Sequence, residues 1–166
     1  MILKRAAEIE AMAESARLNR EVLESIEPLI RPGVSTAELD EAAYSAIVAR
    51  GATPAFKGYR GSSASVTPFP GTLCTSVNDV VVHGIPDRKP LRDGDIVSVD
   101  IGLFYNGYAA DMAKTYAVGS APPKVRSLLS ATERSLYAGI EAAQPGNRMG
   151  DVAAAVQRTV EAEGFW

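Results

Sequence analysis

The chain holds a single cysteine and a single histidine in 166 residues. Cys74, being alone, cannot close an internal disulfide, so a reducing, cytoplasmic setting is expected. Acidic residues outnumber basic ones, 20 to 17, for a net charge of −3. Without a basic surplus to neutralise phosphates, general nucleic-acid binding is excluded. No apolar run approaches the length needed to span a membrane. The N-terminal MILKRAAEIEAMAE turns acidic and helical too early for a secretory signal. What is present is ordinary for a globular chain: 46% hydrophobic and 22% charged residues, at a length that fits one domain with a real core.

Residues 3–31 are rich in Ala, Glu, Arg and Leu. Apolar positions at Ile9, Met12, Ala16, Leu23, Ile26 and Ile30 recur with helical spacing, and Pro32-Gly33 ends the run. Ser35 and Glu38 form a capping-box pattern for a second helix with Leu39, Ala42, Ala43 and Ile47 on one face, stopped at Gly51. Residues 52–73 read as loop. Strand character is expected in 79-DVVVHGIP-86 and most strongly over 96–118. Pro122-Pro123 opens a third helix, and 149–163 form a fourth after Pro145-Gly146. Helices, then strands, then helices predict an α+β fold.

The segment 29-LIRPGVSTAELDEAAYSAIVARG-51 matches 142-AAQPGNRMGDVAAAVQRTVEAEG-164 without a gap, at a constant offset of 113 residues. Pro32 falls on Pro145, Gly33 on Gly146, Leu39 on Val152 and Gly51 on Gly164. Pro-Gly can recur between helices by chance; a duplicated helix–helix unit accounts for more of the pattern. The expected organisation is one domain over 1–166, with a first pseudo-repeat at 1–119 and the helices of a second at 120–166. The second copy reads as lacking its sheet half, so the chain is expected to be cut short.

The strongest strands carry an oddity. In 99-VDIGLFYNGYAADMAKTY-116 an aspartate sits in the middle of each strand. Aspartate is depleted in strands and costly to bury ionised. Asn106-Gly107 predicts a two-residue type I′ hairpin with Tyr105 facing Tyr108. Asp111 then lies opposite Gly102 and Asp100 opposite Ala113, so both acids leave one face as diagonal neighbours about 7 Å apart. Ser98, Gly102, Ala109, Ala113 and Thr115 share that face and leave room beside them. Like charges this close repel unless something lies between them. A divalent cation would remove the repulsion, and carboxylates suit Mn²⁺, Fe²⁺, Co²⁺ or Zn²⁺. Salt bridges to arginine or a backbone amide, or an acid/base carboxylate pair, are the alternatives. His83 could complete a mononuclear triad or be structural, and Cys74 reads as a small buried hydrophobe.

The run 74-CTSVNDVVVHGIPDRKPLRDGDIVSVDIGLFYNGYAADMAKTYAVG-119 resembles the signature region of type I methionine aminopeptidases, with HGIP, GDIVSVDI and the aspartate after the hairpin in family order. The resemblance implies a pita-bread fold of two pseudo-symmetric α+β halves. It also implies a pair of divalent metal ions (Co²⁺, Mn²⁺, Fe²⁺ or Zn²⁺) and removal of the initiator methionine from nascent chains. Carried over by motif, Asp100 and Asp111 match metal ligands, and His83 matches a histidine at the scissile bond. Cys74, Tyr59 and Phe69 match the lining of a methionine side-chain pocket, in a stretch, GYRGSSASVTPFPGTLC, that is longer than the family usually has. Ala109-Ala110 stand where the family has His-Gly. The family's other ligands, a histidine and two glutamates, and its second catalytic histidine would lie beyond Trp166. The chain alone is therefore expected to be weakly active or inactive. A half-fold that binds peptides or a partner, including a second copy of itself, is the alternative.

Overall fold

A computed structural model describes residues 3–61 and 67–166. The chain forms two compact units, Met1–Ser120 and Ala121–Trp166. In the first, helices α1 (Ala6–Ile26) and α2 (Thr36–Ala49) cover one face of an antiparallel sheet. Its strands are β1 (Thr53–Pro54), β2 (Leu73–Val77), β3 (Ile96–Tyr105) and β4 (Tyr108–Ala117). β3 is central. β4 pairs with its whole length, while β2 and β1 share its other edge, at 97–101 and 103–104. In the second unit α3 (Pro123–Ala142) packs on α4 (Met149–Ala162) at Gly139, where an added Cβ would lie 2.8 Å from Val156.

The sheet's inner face supplies Val97, Val99, Ile101 and Leu103, all fully buried against Leu39, Ala43 and Ile47 of α2. Burial of such side chains is worth about 1.5–3 kcal/mol each. The capping box of α2 forms as its sequence predicts: Glu38 N donates to Ser35 Oγ at 3.3 Å, and Ser35 N to Glu38 Oε2 at 2.8 Å.

Helix α1 departs from its expected pattern. Ile9 and Met12 are exposed, and the buried stripe is Ser15, Leu18, Asn19, Val22, Leu23 and Ile26. Two polar residues belong to the inner face, which shifts the stripe away from the apolar positions counted in sequence. The helix also ends early, at Ile26, followed by a short 3₁₀ turn over Glu27–Leu29. Pro28 has no amide to continue the α-helical ladder.

The hairpin follows its predicted register. Asn106 (φ 47°) and Gly107 (φ 81°) make the turn, and Tyr105 faces Tyr108. The 113-residue offset is present in the backbone as well. α2 and α4 each run 14 residues between left-handed glycines, Gly33 and Gly146 before them and Gly51 and Gly164 after. Ser35 N donates to Glu38, and Arg148 N donates to Asp151 at the matching position.

The expected strand at 79–86 does not form. Those residues are turn and extended loop, with Val81 and Val82 exposed. The strand lies earlier, at Leu73–Val77, and its first residue falls inside the stretch read as loop, as does β1. The reason is local: Gly84 returns the chain along β2 and takes up Thr75 N in a 2.8 Å bond. The preceding valines then have no sheet to join.

Candidate functional site

β3 and β4 place the two aspartates as the hairpin geometry requires. Asp100 is opposite Ala113 and Asp111 opposite Gly102, both on the face turned away from the helices. Asp100 is half-buried and Asp111 exposed. Burial, then the charge of Asp111, then a hydrogen bond with Asp111 hold the Asp100 carboxyl above the usual carboxylate range; His83 acts in the opposite sense. Among the described residues neither acid forms an ion pair with Lys or Arg, which leaves the salt-bridge alternative without partners. Asp100 Oδ1 is buried with no hydrogen-bond partner. A buried, unpartnered oxygen facing a second carboxylate is a fit for a hard cation. It is a partial one: among the described residues no three His, Cys, Asp or Glu side chains are grouped to hold a metal ion.

The surroundings are small and polar. Ser98 and Thr115 face each other across the hairpin with hydroxyls 2.7 Å apart. Gly102 is a close approach: a Cβ there would meet the Phe56 ring at 2.8 Å and Ala55 Cβ at 3.1 Å. Phe56 therefore lies on the acid face beside Asp111's partner, a neighbour not expected from sequence. Its signal was faint, a lone aromatic just after a two-residue strand.

Cys74 sits directly opposite Asp100 on β2 and is buried. Burial, followed by the charges of Asp100, Asp111 and Asp40, pushes its thiol up to about 11 from 9.0. At neutral pH it is a neutral, apolar wall and not a nucleophile. Two pKa units correspond to about a hundredfold less thiolate. Iodoacetamide at pH 8 should therefore label the native chain at least 100-fold more slowly than the urea-unfolded chain. Comparable rates would show the thiol to be open and unperturbed. Asp40 has a structural task as well: its Oδ1 accepts from Thr72 N at 2.7 Å and Leu73 N at 2.8 Å, so α2 holds the start of β2.

His83 is exposed, near enough to Asp100 to influence it, and carries a left-handed backbone (φ 57°). Non-glycine residues rarely adopt that conformation. Gly84 secures it, its carbonyl accepting from Thr75 N and its amide donating to Ser76 Oγ at 3.2 Å. Phe69 N donates to Tyr59 O and Gly58 N donates to Phe69 O, both at 2.8 Å, so Phe69 is tied to the Gly58-Tyr59 backbone. Tyr59 N in turn donates to Phe56 O at 2.9 Å, which links the pair to the acid face only indirectly. The Tyr59 side chain is exposed and that of Phe69 half-buried. Residues 62–66 of the long stretch between them lie outside the described residues. The structure thus brings Asp100, Asp111, His83 and Cys74 together, and leaves Tyr59 and Phe69 at one remove.

Residues 10–166 match metallopeptidase family M24. The chain is 44% identical over 165 residues to methionine aminopeptidase 1 of Bacillus subtilis, covering 99% of this chain and 64% of that protein. Among solved structures it is similar to methionine aminopeptidases from Rickettsia prowazekii (TM-score 0.91, 33% identity, 98% of this chain and 62% of that one) and Thermotoga maritima (TM-score 0.90, 34% identity, 99% and 64%). The chain spans about 64% of the length of the methionine aminopeptidases of Bacillus subtilis and Clostridium perfringens that it matches. Its fold is the pita-bread α+β fold of those structures. An acid pair on an antiparallel hairpin, a histidine beside it and a match over nearly the whole chain lead to one conclusion: the chain belongs to metallopeptidase family M24.

Proposed function

We propose that the chain carries the substrate-facing part of a metal-dependent aminopeptidase that removes the initiator methionine from proteins. One observation supports this above the others: Asp100 and Asp111 converge on an open face with a buried, unpartnered Oδ1 and no basic partner among the described residues. Asp100 and Asp111 would hold divalent cations, two in the full enzyme, of which Mn²⁺, Co²⁺, Fe²⁺ and Zn²⁺ suit oxygen donors. When bound, such ions supply Lewis acidity and water activation. His83, exposed beside Asp100, would hydrogen-bond the peptide at the scissile amide. Cys74, kept neutral, would form part of the wall against the thioether side chain, with Phe69 and Tyr59 further out. The lone buried thiol suits a cytoplasmic enzyme, and no helix among the described residues is long and apolar enough to cross a membrane.

With only two carboxylate donors grouped, cation binding is expected to be weak and turnover by this chain low. Release of methionine from a Met-Ala-Ser peptide with added Mn²⁺ or Co²⁺ tests the assignment. Slow turnover, lost in Asp100→Ala, is the expected result. Metal-independent release, or release undiminished by that substitution, would overturn it. Exposed Val81, Val82 and Ile85 beside His83 support a second reading, in which this half of the fold docks a partner or another copy of itself. A monomer in size-exclusion chromatography with light scattering would rule out the self-association.

A further inference from the structure

Helix α1 buries two polar side chains, Ser15 and Asn19, at 0% exposure in a stripe otherwise made of apolar residues. Asn19 Nδ2 donates to the Ile101 carbonyl at 2.9 Å, and Ser15 Oγ contacts the Tyr105 carbonyl at 3.2 Å. Ser15 has an alternative acceptor within its own helix, Ala11 O, also at 3.2 Å. Asn19 has none, and its Oδ1 is buried without a partner among the described residues. An amide that leaves one end unsatisfied in an apolar layer is a net cost unless the other end does something specific.

The donor end grips the sheet directly behind the acid pair. Counting from the Tyr105–Tyr108 turn, hydrogen-bonded and non-hydrogen-bonded pairs alternate, which makes Ile101–Met112 a hydrogen-bonded rung. Asp100 immediately precedes Ile101, and Asp111 immediately precedes Met112. Asn19 therefore holds, from the core side, the rung next to both carboxylates. The Ile101 carbonyl has a lone pair left for it after the rung is made.

We propose that Asn19 is a positioning residue for the acid pair. Through the Ile101 carbonyl it fixes the rung against the repulsion of Asp100 and Asp111, which would otherwise relax by splaying the hairpin. The Ser15–Tyr105 contact sets the same helix against the turn end of β3, so the two together register α1 along the strand. This inference rests on the assignment of Asp100 and Asp111 as a cation-holding pair.

The test compares Asn19→Leu, which keeps volume and removes the donor, with Val22→Ala, a fully buried neighbour on the same helix. Carboxyl-carbon NMR of Asp100 and Asp111 and hydrogen exchange at Met112 are read in the metal-free chain at pH 7. Mn²⁺ affinity is then measured by calorimetry. In Asn19→Leu both carboxyl resonances should move, Met112 exchange should quicken at least about 10-fold, and Mn²⁺ affinity should fall on the order of 10-fold. Val22→Ala should lower the melting temperature and leave the carboxyl resonances in place. Should the leucine variant fail to fold, Asn19→Ser, too short to reach the carbonyl, gives the same comparison. Resonances and exchange matching the native chain or Val22→Ala would overturn the proposal. If Mn²⁺ fails to broaden the native Asp100 and Asp111 signals, the cation assignment fails, and the metal-free comparison still decides the role of Asn19.

Discussion

Replacing Gly84 by alanine should destabilise the chain by about 3 kcal/mol, the upper range for overpacking a fixed contact. A Cβ at this position would lie 2.2 Å from the Thr75 carbonyl oxygen, 2.8 Å from its carbon and 3.0 Å from Ser76 Cα. All three are backbone atoms of β2. That strand cannot give way easily, because β3 pairs with one edge and Asp40 holds the amides at its start. The His83 segment must therefore retreat, breaking the bond from Thr75 N to Gly84 O. Urea unfolding of Gly84→Ala measures the loss. Gly150→Ala supplies the contrast: it lies in α4 with open space around its Cβ position and should be neutral or stabilising by up to about 1 kcal/mol. A Gly84→Ala variant within about 0.5 kcal/mol of the native chain would mean that the close contact is easily relieved.

Asp100→Asn should do two opposite things, stabilise the metal-free chain and abolish its response to divalent cations. The folded chain holds this carboxyl above its ordinary 3.8, so folding favours the neutral form. That contribution is complete below pH 3.8 and lost as pH rises through the raised folded value. At pH 7 the ionised group, facing Asp111, opposes folding. Asparagine keeps the shape without the charge, and a gain of about 0.5–2 kcal/mol is typical when a functional site is relieved in this way. The same substitution removes one of the two proposed ligands, so Mn²⁺ affinity should drop on the order of 100-fold or more. Thermal melts in chelator and in excess Mn²⁺ read both effects. An asparagine variant less stable than the native chain in chelator would show that the acid pair is not under repulsion.

What the sequence revealed, it revealed where a few adjacent residues settle the geometry. Asn106-Gly107 admits few backbones, so the turn, the register and the common face of Asp100 and Asp111 followed together. Ser35 with Glu38 announced α2, and the Pro-Gly pairs announced two like turns, each followed by a 14-residue helix. Arg148 occupies the position of Ser35 with nearly the same backbone angles, which shows that the turn and the acid three residues on carry that geometry more than the capping side chain does. The rest depended on distant partners. Ser15 and Asn19 look like surface residues until the carbonyls of Ile101 and Tyr105 are placed above them. The valines at 80–82 have strand propensity but no edge to pair with, since Gly84 occupies it. Phe56 joined the acid face only because Gly102, 46 positions away, leaves space for a ring.

The shortness of the hairpin loop bears on how the chain folds. Two residues separate β3 from β4, so this contact closes within microseconds, sooner than pairings that must span long loops. Asp100 and Asp111 are thus expected to meet in the nascent hairpin before α1 is in place to brace it. Their mutual repulsion is then expected to fall on the rate of nucleation, so that an acid pair proposed to serve only the finished molecule slows its first committed step.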